Sequence, residues 1–308
     1  MGRYTLRRLL QLIPVLIGTT FIIHFLVWQL PADPFDGRCG QRPCSEAFIA
    51  RMNEQFHLDE PFYVQYFIFL GKMLTGDFGV SFNQVPVINL IEDAYPNTLK
   101  LALVALTIEA VIGVGAGVMT GLKRGGFLDN LVLVSSLFLM ALPIVVVAFF
   151  MKYLFWAQLG WIEPNVSTEV RWSELIVPGF VLATTSMAFI ARLMRANIAE
   201  NSSADFVKTA KAKGLGSGRV VGVHLLRNSL IPVVTFIGLD LGNLMAGAIV
   251  TEGIFNINGV GLTIFRALSL QDATIVVPLA TMLVLVYLFM NLLVDLLYGL
   301  LDPRIRYE

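Results

Sequence analysis

The chain has 308 residues, of which 56% are hydrophobic and 14% charged, with a mean hydropathy of +0.73 and a formal net charge of zero. Soluble domains carry about 25% charged residues, so an ordinary soluble enzyme is excluded. The neutral balance leaves no global attraction for nucleic acid, and any electrostatic logic lies in where the charges sit.

Six apolar runs occur in chain order, at about 9–30, 98–121, 131–156, 176–194, 231–251 and 276–300. A helix crosses the hydrocarbon in roughly 20 residues, and lipid offers no partner for unpaired backbone groups, so each run is predicted to be helical. The first follows Arg3, Arg7 and Arg8. It is too long for a signal peptide and no small-residue cleavage site follows it, so it is read as a span. Pro143 predicts a kink in the third run, where Lys152 lies near the outer edge. With the N-terminus inside, 14 Lys and Arg fall in inside segments against 6 outside. That asymmetry predicts both termini in the cytoplasm.

Residues 31–97 then form a long external segment between the first two helices. It holds the only cysteines, Cys39 and Cys44, around Gly40-Gln41-Arg42-Pro43. An oxidising exterior favours a local disulfide over free thiols, worth about 2 kcal/mol to the segment. Two ligands do not make a metal site. The expected organisation is residues 1–97, an N-terminal helix plus external segment, and 98–308, a five-helix core with a cytoplasmic loop at 195–229.

Catalytic signatures are missing. Gly214–Arg219 is glycine-rich but lacks the Gly-Lys-Ser/Thr ending of a phosphate-binding loop. His24, His57 and His224 are expected in different compartments, and no nucleophile elbow is present. The chain is therefore read as a non-enzyme, with no metal and no cofactor of its own.

Charge inside the membrane marks a functional candidate by default, at about 2.5–3.5 kcal/mol on insertion scales. Glu109 and Asp240 lie near the middle of the second and fifth runs. Two readings stand for them: lining a cavity among the helices, or a paired packing role. Gly113, Gly117 and Gly121, and likewise Gly238, Gly242 and Ala246, recur at i, i+4, i+8. Small residues so spaced let helices approach closely, within the chain or against a second subunit.

The loop at 195–229 holds a short helix with its own punctuation. Ser202 is predicted to cap its start with Asp205 three residues on, Lys211 and Lys213 suit its last turn, and Gly214 suits its end. Phe206 and Ala210 share a face, with Val207 beside them. So short a helix is marginal without a tertiary partner.

Residues 208–214, Lys-Thr-Ala-Lys-Ala-Lys-Gly, resemble the "EAA…G" loop of bacterial ABC-importer permeases, in the form used by dipeptide and oligopeptide permeases. Lys208 stands where many importers carry Glu, a spelling usual in the peptide branch. Residues 224–232, 57–61, 71–81, 95–99 and 291–304 resemble the same branch in order, so the likeness covers nearly the whole chain. One departure is Asn256–Gly261, in place of the more usual Pro-Gly-x-Gly after the fifth helix.

The resemblance implies an all-α integral membrane protein with the six helices of a type I ABC-importer permease. It implies the B-type subunit in a bacterial inner membrane, forming half of a route for peptides, or in similar systems for nickel, glutathione or haem. A self-contained ion-coupled transporter is the rival class. Implied partners are a second homologous permease, two ATPase subunits that bind ATP and Mg, an external solute-binding protein and membrane lipid. The coupling residues it implies are Asp205, Phe206, Lys208, Thr209, Ala210, Lys211, Gly214 and Leu215.

Overall fold

A computed structural model describes residues 2–29 and 45–301. Cys39 and Cys44, with the disulfide expected between them, lie outside the described residues. Regular structure among the described residues is helical, apart from one isolated bridge between Val80 and Pro86.

The helices are α1 Gly2–Gln29, α2 Glu46–Phe56, α3 Phe62–Leu74, α4 Val87–Leu122, α5 Phe127–Ala141, α6 Ile144–Gln158, α7 Ile176–Asn201, α8 Asp205–Ala212, α9 Leu226–Phe255, α10 Val260–Ser269 and α11 Ala273–Leu301. Five described stretches are long and apolar enough to span a membrane: Arg7–Gln29, Val87–Leu122, Trp172–Asn201, Ser217–Met245 and Ala273–Val294. Two further apolar pairs are bent, α5–α6 by 104° and Ala248–Phe255 with α10 by 81°. The count is therefore five to seven among the described residues, which brackets the expected six.

The predicted kink at Pro143 is instead a full break. Leu142 is extended at φ −84°, ψ 130°, and Pro143 starts the next helix at φ −59°. Proline disfavours the helical region in the residue before it and supplies no N–H to the preceding turn. The second long helix begins at Val87, earlier than expected, and carries Pro96 inside it.

The chain divides into two compact units, Met1–Tyr95 with Thr263–Leu288 and Pro96–Leu262 with Phe289–Glu308. In the first, Met52 and Phe82 form a small core with Trp28, Phe48 and Phe56 around it. Tyr66 ties α3 to α1, its hydroxyl donating to Ile17 O at 3.0 Å and lying 2.9 Å from Thr20 Oγ1.

In the second unit, α7 packs along α4 through the glycine stripe. A Cβ at Gly117 would lie 2.5 Å from Met194 Cβ and 2.6 Å from Ala191 O, and one at Gly113 or Gly121 would meet Ile190 or Ile198. The stripe is used inside the chain: three glycines seat three large residues of α7 one turn apart. Gly238 on α9 likewise faces Val294.

Candidate functional site

The short helix in the loop before α9 is present as α8, and its end follows the expected chemistry. Gly214 has φ +76°, its N–H donates to Lys211 O at 2.9 Å, and Leu215 N–H donates to Ala210 O at 3.3 Å. This pair of bonds is a Schellman closure, which needs a left-handed residue at Gly214. The start differs from expectation. Ala204 occupies the N-cap with no side-chain cap bond. Ser202 ends α7 instead and donates to Ala199 O at 2.8 Å. Helix α7 runs to Asn201, so Ser202 is spent on its last turn. Asp205 remains in the first turn of α8 and pairs with Lys208 at 2.9 Å. Both side chains are exposed, so the pair contributes little.

The two faces of α8 differ. Val207 and Ala210, three residues apart, are buried at 2% and 4% exposure in a core with Ile190, Met194, Ile198, Val220, Leu225 and Val233, and Leu215 packs against it. Phe206 is 37% exposed, and Asp205, Lys208, Thr209, Lys211 and Gly214 are exposed with it. Phe206 and Ala210 thus part company: Ala210 turns inward and Phe206 outward. Phe206, Thr209 and Lys213 recur at i, i+3, i+7, one outward stripe.

Two polar links hold this region in place. Asn201 Nδ2 donates to Ser229 Oγ at 3.0 Å, and Ser229 Oγ donates to Asn197 O at 3.2 Å. The buried Ser229 thereby joins the end of α7 to the start of α9. Near the same end of α7, the Arg195 guanidinium forks onto Asp129, with Nη2 to Oδ2 at 2.8 Å, and Asp129 accepts Gly125 N–H at 2.8 Å. A bidentate fork fixes direction as well as charge. Residues 123–126, between α4 and α5, are thereby tied to α7.

A third polar cluster lies where α9 gives way to α10. The buried Glu252 carboxylate accepts from Thr98 Oγ1 at 2.7 Å and from Leu262 N–H at 2.9 Å. Thr98 Oγ1 in turn accepts Val260 N–H at 2.9 Å, and Asn97 Nδ2 donates to Asn258 O at 2.9 Å. A Cβ at Gly259 would collide with the Glu252 carboxylate, and one at Gly261 would lie 2.6 Å from Ile249 Cα. The departure noted at Asn256–Gly261 therefore keeps both glycines the geometry requires. It changes only the neighbour, Asn258, whose carbonyl Asn97 holds.

Glu109 and Asp240 come together. Glu109 opens a π turn, Glu109–Gly113, inside α4 and is fully buried, with its carboxyl against that of Asp240 on α9. Such turns are frequent at functional sites. Asn243 Nδ2 donates to Asp240 Oδ1 at 3.2 Å, whereas both Glu109 oxygens and Asp240 Oδ2 have no hydrogen-bond partner among the described residues.

Sequence reading missed Asp129, Glu252, Thr98 and Ser229 as site-shaping residues. The available signals were an acid at the end of an apolar run at Glu252, and an acid three residues after Gly125-Gly126 at Asp129.

Apolar spans, a short two-faced helix between two of them, and buried polar links at its root define a multi-pass helical membrane protein. The family description "binding-protein-dependent transport system inner membrane component" matches residues 113–307, and its N-terminal counterpart matches residues 1–102. The chain belongs to this family. It is 35% identical to the dipeptide transport system permease protein DppB of Alkalihalophilus pseudofirmus, over 99% of each chain. It is 32% identical to the oligopeptide transport system permease protein OppB of Haemophilus influenzae and 32% identical to the glutathione transport system permease protein GsiC of Shigella flexneri, over 100% of each chain. Among solved structures it is similar to an amino acid ABC transporter crystallised with histidines. That TM-score is 0.54 at 15% identity, covering 68% of this chain and 94% of the other, a likeness of fold.

Proposed function

We propose that the chain is the transmembrane permease subunit of a bacterial ABC importer for short peptides, supplying half of the translocation route. The observation that carries this reading is the two-sidedness of α8. Val207 and Ala210 bind the helix to its own core, while Phe206, Thr209 and Lys213 stand outward. Asp205, Phe206, Lys208, Thr209, Lys211 and Gly214 form the contact with an ATPase subunit, and Ala210 and Leu215 back it from within. The distribution of Lys and Arg supports placing α8 and both termini in the cytoplasm.

The chemistry is mechanical. ATP and Mg bind in two partner ATPase subunits, and closure of that dimer displaces α8. The Asn201–Ser229–Asn197 link and the shared apolar core transmit the displacement to α7 and α9 as one body. A second homologous permease completes the route, and an external solute-binding protein delivers cargo. The peptide, oligopeptide and glutathione names of full-length relatives support a peptide-like cargo.

Affinity-tagged chain purified from its own membranes should bring down an ATPase, and uptake should stop when ATP is depleted. A preparation that never contains an ATPase, with uptake indifferent to ATP, would instead indicate an ion-coupled carrier. A thermal-shift screen of the cognate binding protein with peptides, glutathione, nickel and haem separates the cargo classes.

A further inference from the structure

The first unit carries a half-open cavity of about 260 Å³ that the importer reading does not use. It sits between the C-terminal end of α1, which supplies His24 and Trp28, and the N-terminal end of α11, which supplies Thr274 and Pro278. The end of α2, the length of α3 and the turn at 77–80 close its other sides. The lining residues of these two apolar helices lie within six residues of Gln29 and of Ala273, the bounds of the described helices.

Its lining is graded. Lys72 and Asp77 bring charges of opposite sign to it, and both residues are exposed. Asp77 N–H donates to Lys72 O at 2.9 Å and Asp77 Oδ1 accepts Gly79 N–H at 2.9 Å, and the ion pairs found among the described residues do not join the two side chains. The deeper wall is aromatic, with Trp28, Phe56 and Phe69. Within that wall sits His24, 4% exposed, with the Phe69 and Phe62 rings 5.3 and 5.4 Å from its own. Neither ring nitrogen has a hydrogen-bond partner among the described residues. Buried polar groups are almost always paired, so an unpaired imidazole on a cavity wall points to a missing partner. His57 lines the same cavity, so two of the three histidines come together, against the expectation that all lie apart.

We propose that this cavity binds a small zwitterion with an apolar side chain, an amino acid or dipeptide in size. The carboxylate meets Lys72, the ammonium meets Asp77, the apolar group enters the aromatic wall, and a polar backbone atom satisfies His24. Small-molecule sites combine apolar walls with a few placed polar groups over roughly 300–1,000 Å³, and this cavity lies just below that range.

The test is calorimetric titration of the complete transport complex in lipid nanodiscs, without its binding protein. The probe is the dipeptide Gly-Phe, with N-acetyl-Gly-Phe-amide as the uncharged control. Gly-Phe should bind saturably, and the control about tenfold more weakly. The double variant Lys72→Gln with Asp77→Asn should weaken Gly-Phe by about tenfold or more, near 1.4 kcal/mol, and abolish its advantage over the control. Both positions are exposed, so the fold is retained. The proposal is overturned by absence of saturable binding, or by binding indifferent to the double variant. It is equally overturned by a phosphatidylethanolamine that co-purifies with the wild type and is lost from the variant. None of these outcomes bears on ATP-driven uptake, which is measured in parallel and tests the importer reading separately.

Discussion

Thr98→Val removes one oxygen and leaves the side-chain shape almost unchanged, so its effect reports hydrogen bonding rather than packing. That oxygen donates to Glu252 at 2.7 Å and accepts from Val260 N–H at 2.9 Å, both buried. The substitution orphans a backbone donor, at about 1–3 kcal/mol, and strips one donor from a buried carboxylate. The predicted loss is about 2–4 kcal/mol, localised to residues 256–262. Each 1.4 kcal/mol is tenfold in an equilibrium, so hydrogen exchange at Val260 and Leu262 should speed up by about 30-fold or more. Thr107→Val is the control, because that hydroxyl only bonds back to Leu103 O on an exposed face. Equal exchange rates in the two variants would refute the role given to the Glu252 cluster.

Gly117→Ala should lower the melting temperature of the purified complex by several degrees, because overpacking at a backbone contact costs typically 1–3 kcal/mol. Gly115→Ala, with nothing within 4 Å of its Cβ, should not. Asp129→Asn and Arg195→Lys should each lower it, and a double-mutant cycle should show the pair strongly coupled; additivity would remove the fork from the account. Val207→Ala should destabilise by about 1.5–2 kcal/mol for two buried methyl groups. Phe206→Ala should leave stability intact and reduce peptide-stimulated ATP hydrolysis in the complex. For Glu109→Gln with Asp240→Asn, burial favours the packing reading: uptake of neutral and cationic peptides should keep its ratio. A selective loss of cationic cargo would put the pair on the route.

The spans were readable because hydropathy alone specifies them, and Gly214 was readable because the end of a helix is written in four or five adjacent residues. Ser202 was misplaced because its role depended on where α7 stops, at Asn201, which no local signal marks. The face of α8 was half legible: 3.6-residue periodicity groups Phe206 with Ala210, but only the position of Ile190, Met194 and Ile198 shows which way the helix turns. Asp129 and Arg195 are 66 residues apart, and Thr98 and Glu252 are 154 apart. Pairings at such separations leave no local pattern. Pro143 was seen, but the size of its effect depends on α7, against which α5 and α6 both pack.

On the proposed function, the outward face of α8 meets an ATPase. It is tested most directly by Thr209→Cys, an exposed position on that face, treated with a thiol cross-linker in native membranes. The expected result is a cross-linked product containing a nucleotide-binding polypeptide, with a yield that changes when ATP is added. Cross-links to no ATPase from Thr209→Cys, in membranes that still take up peptide, would contradict it.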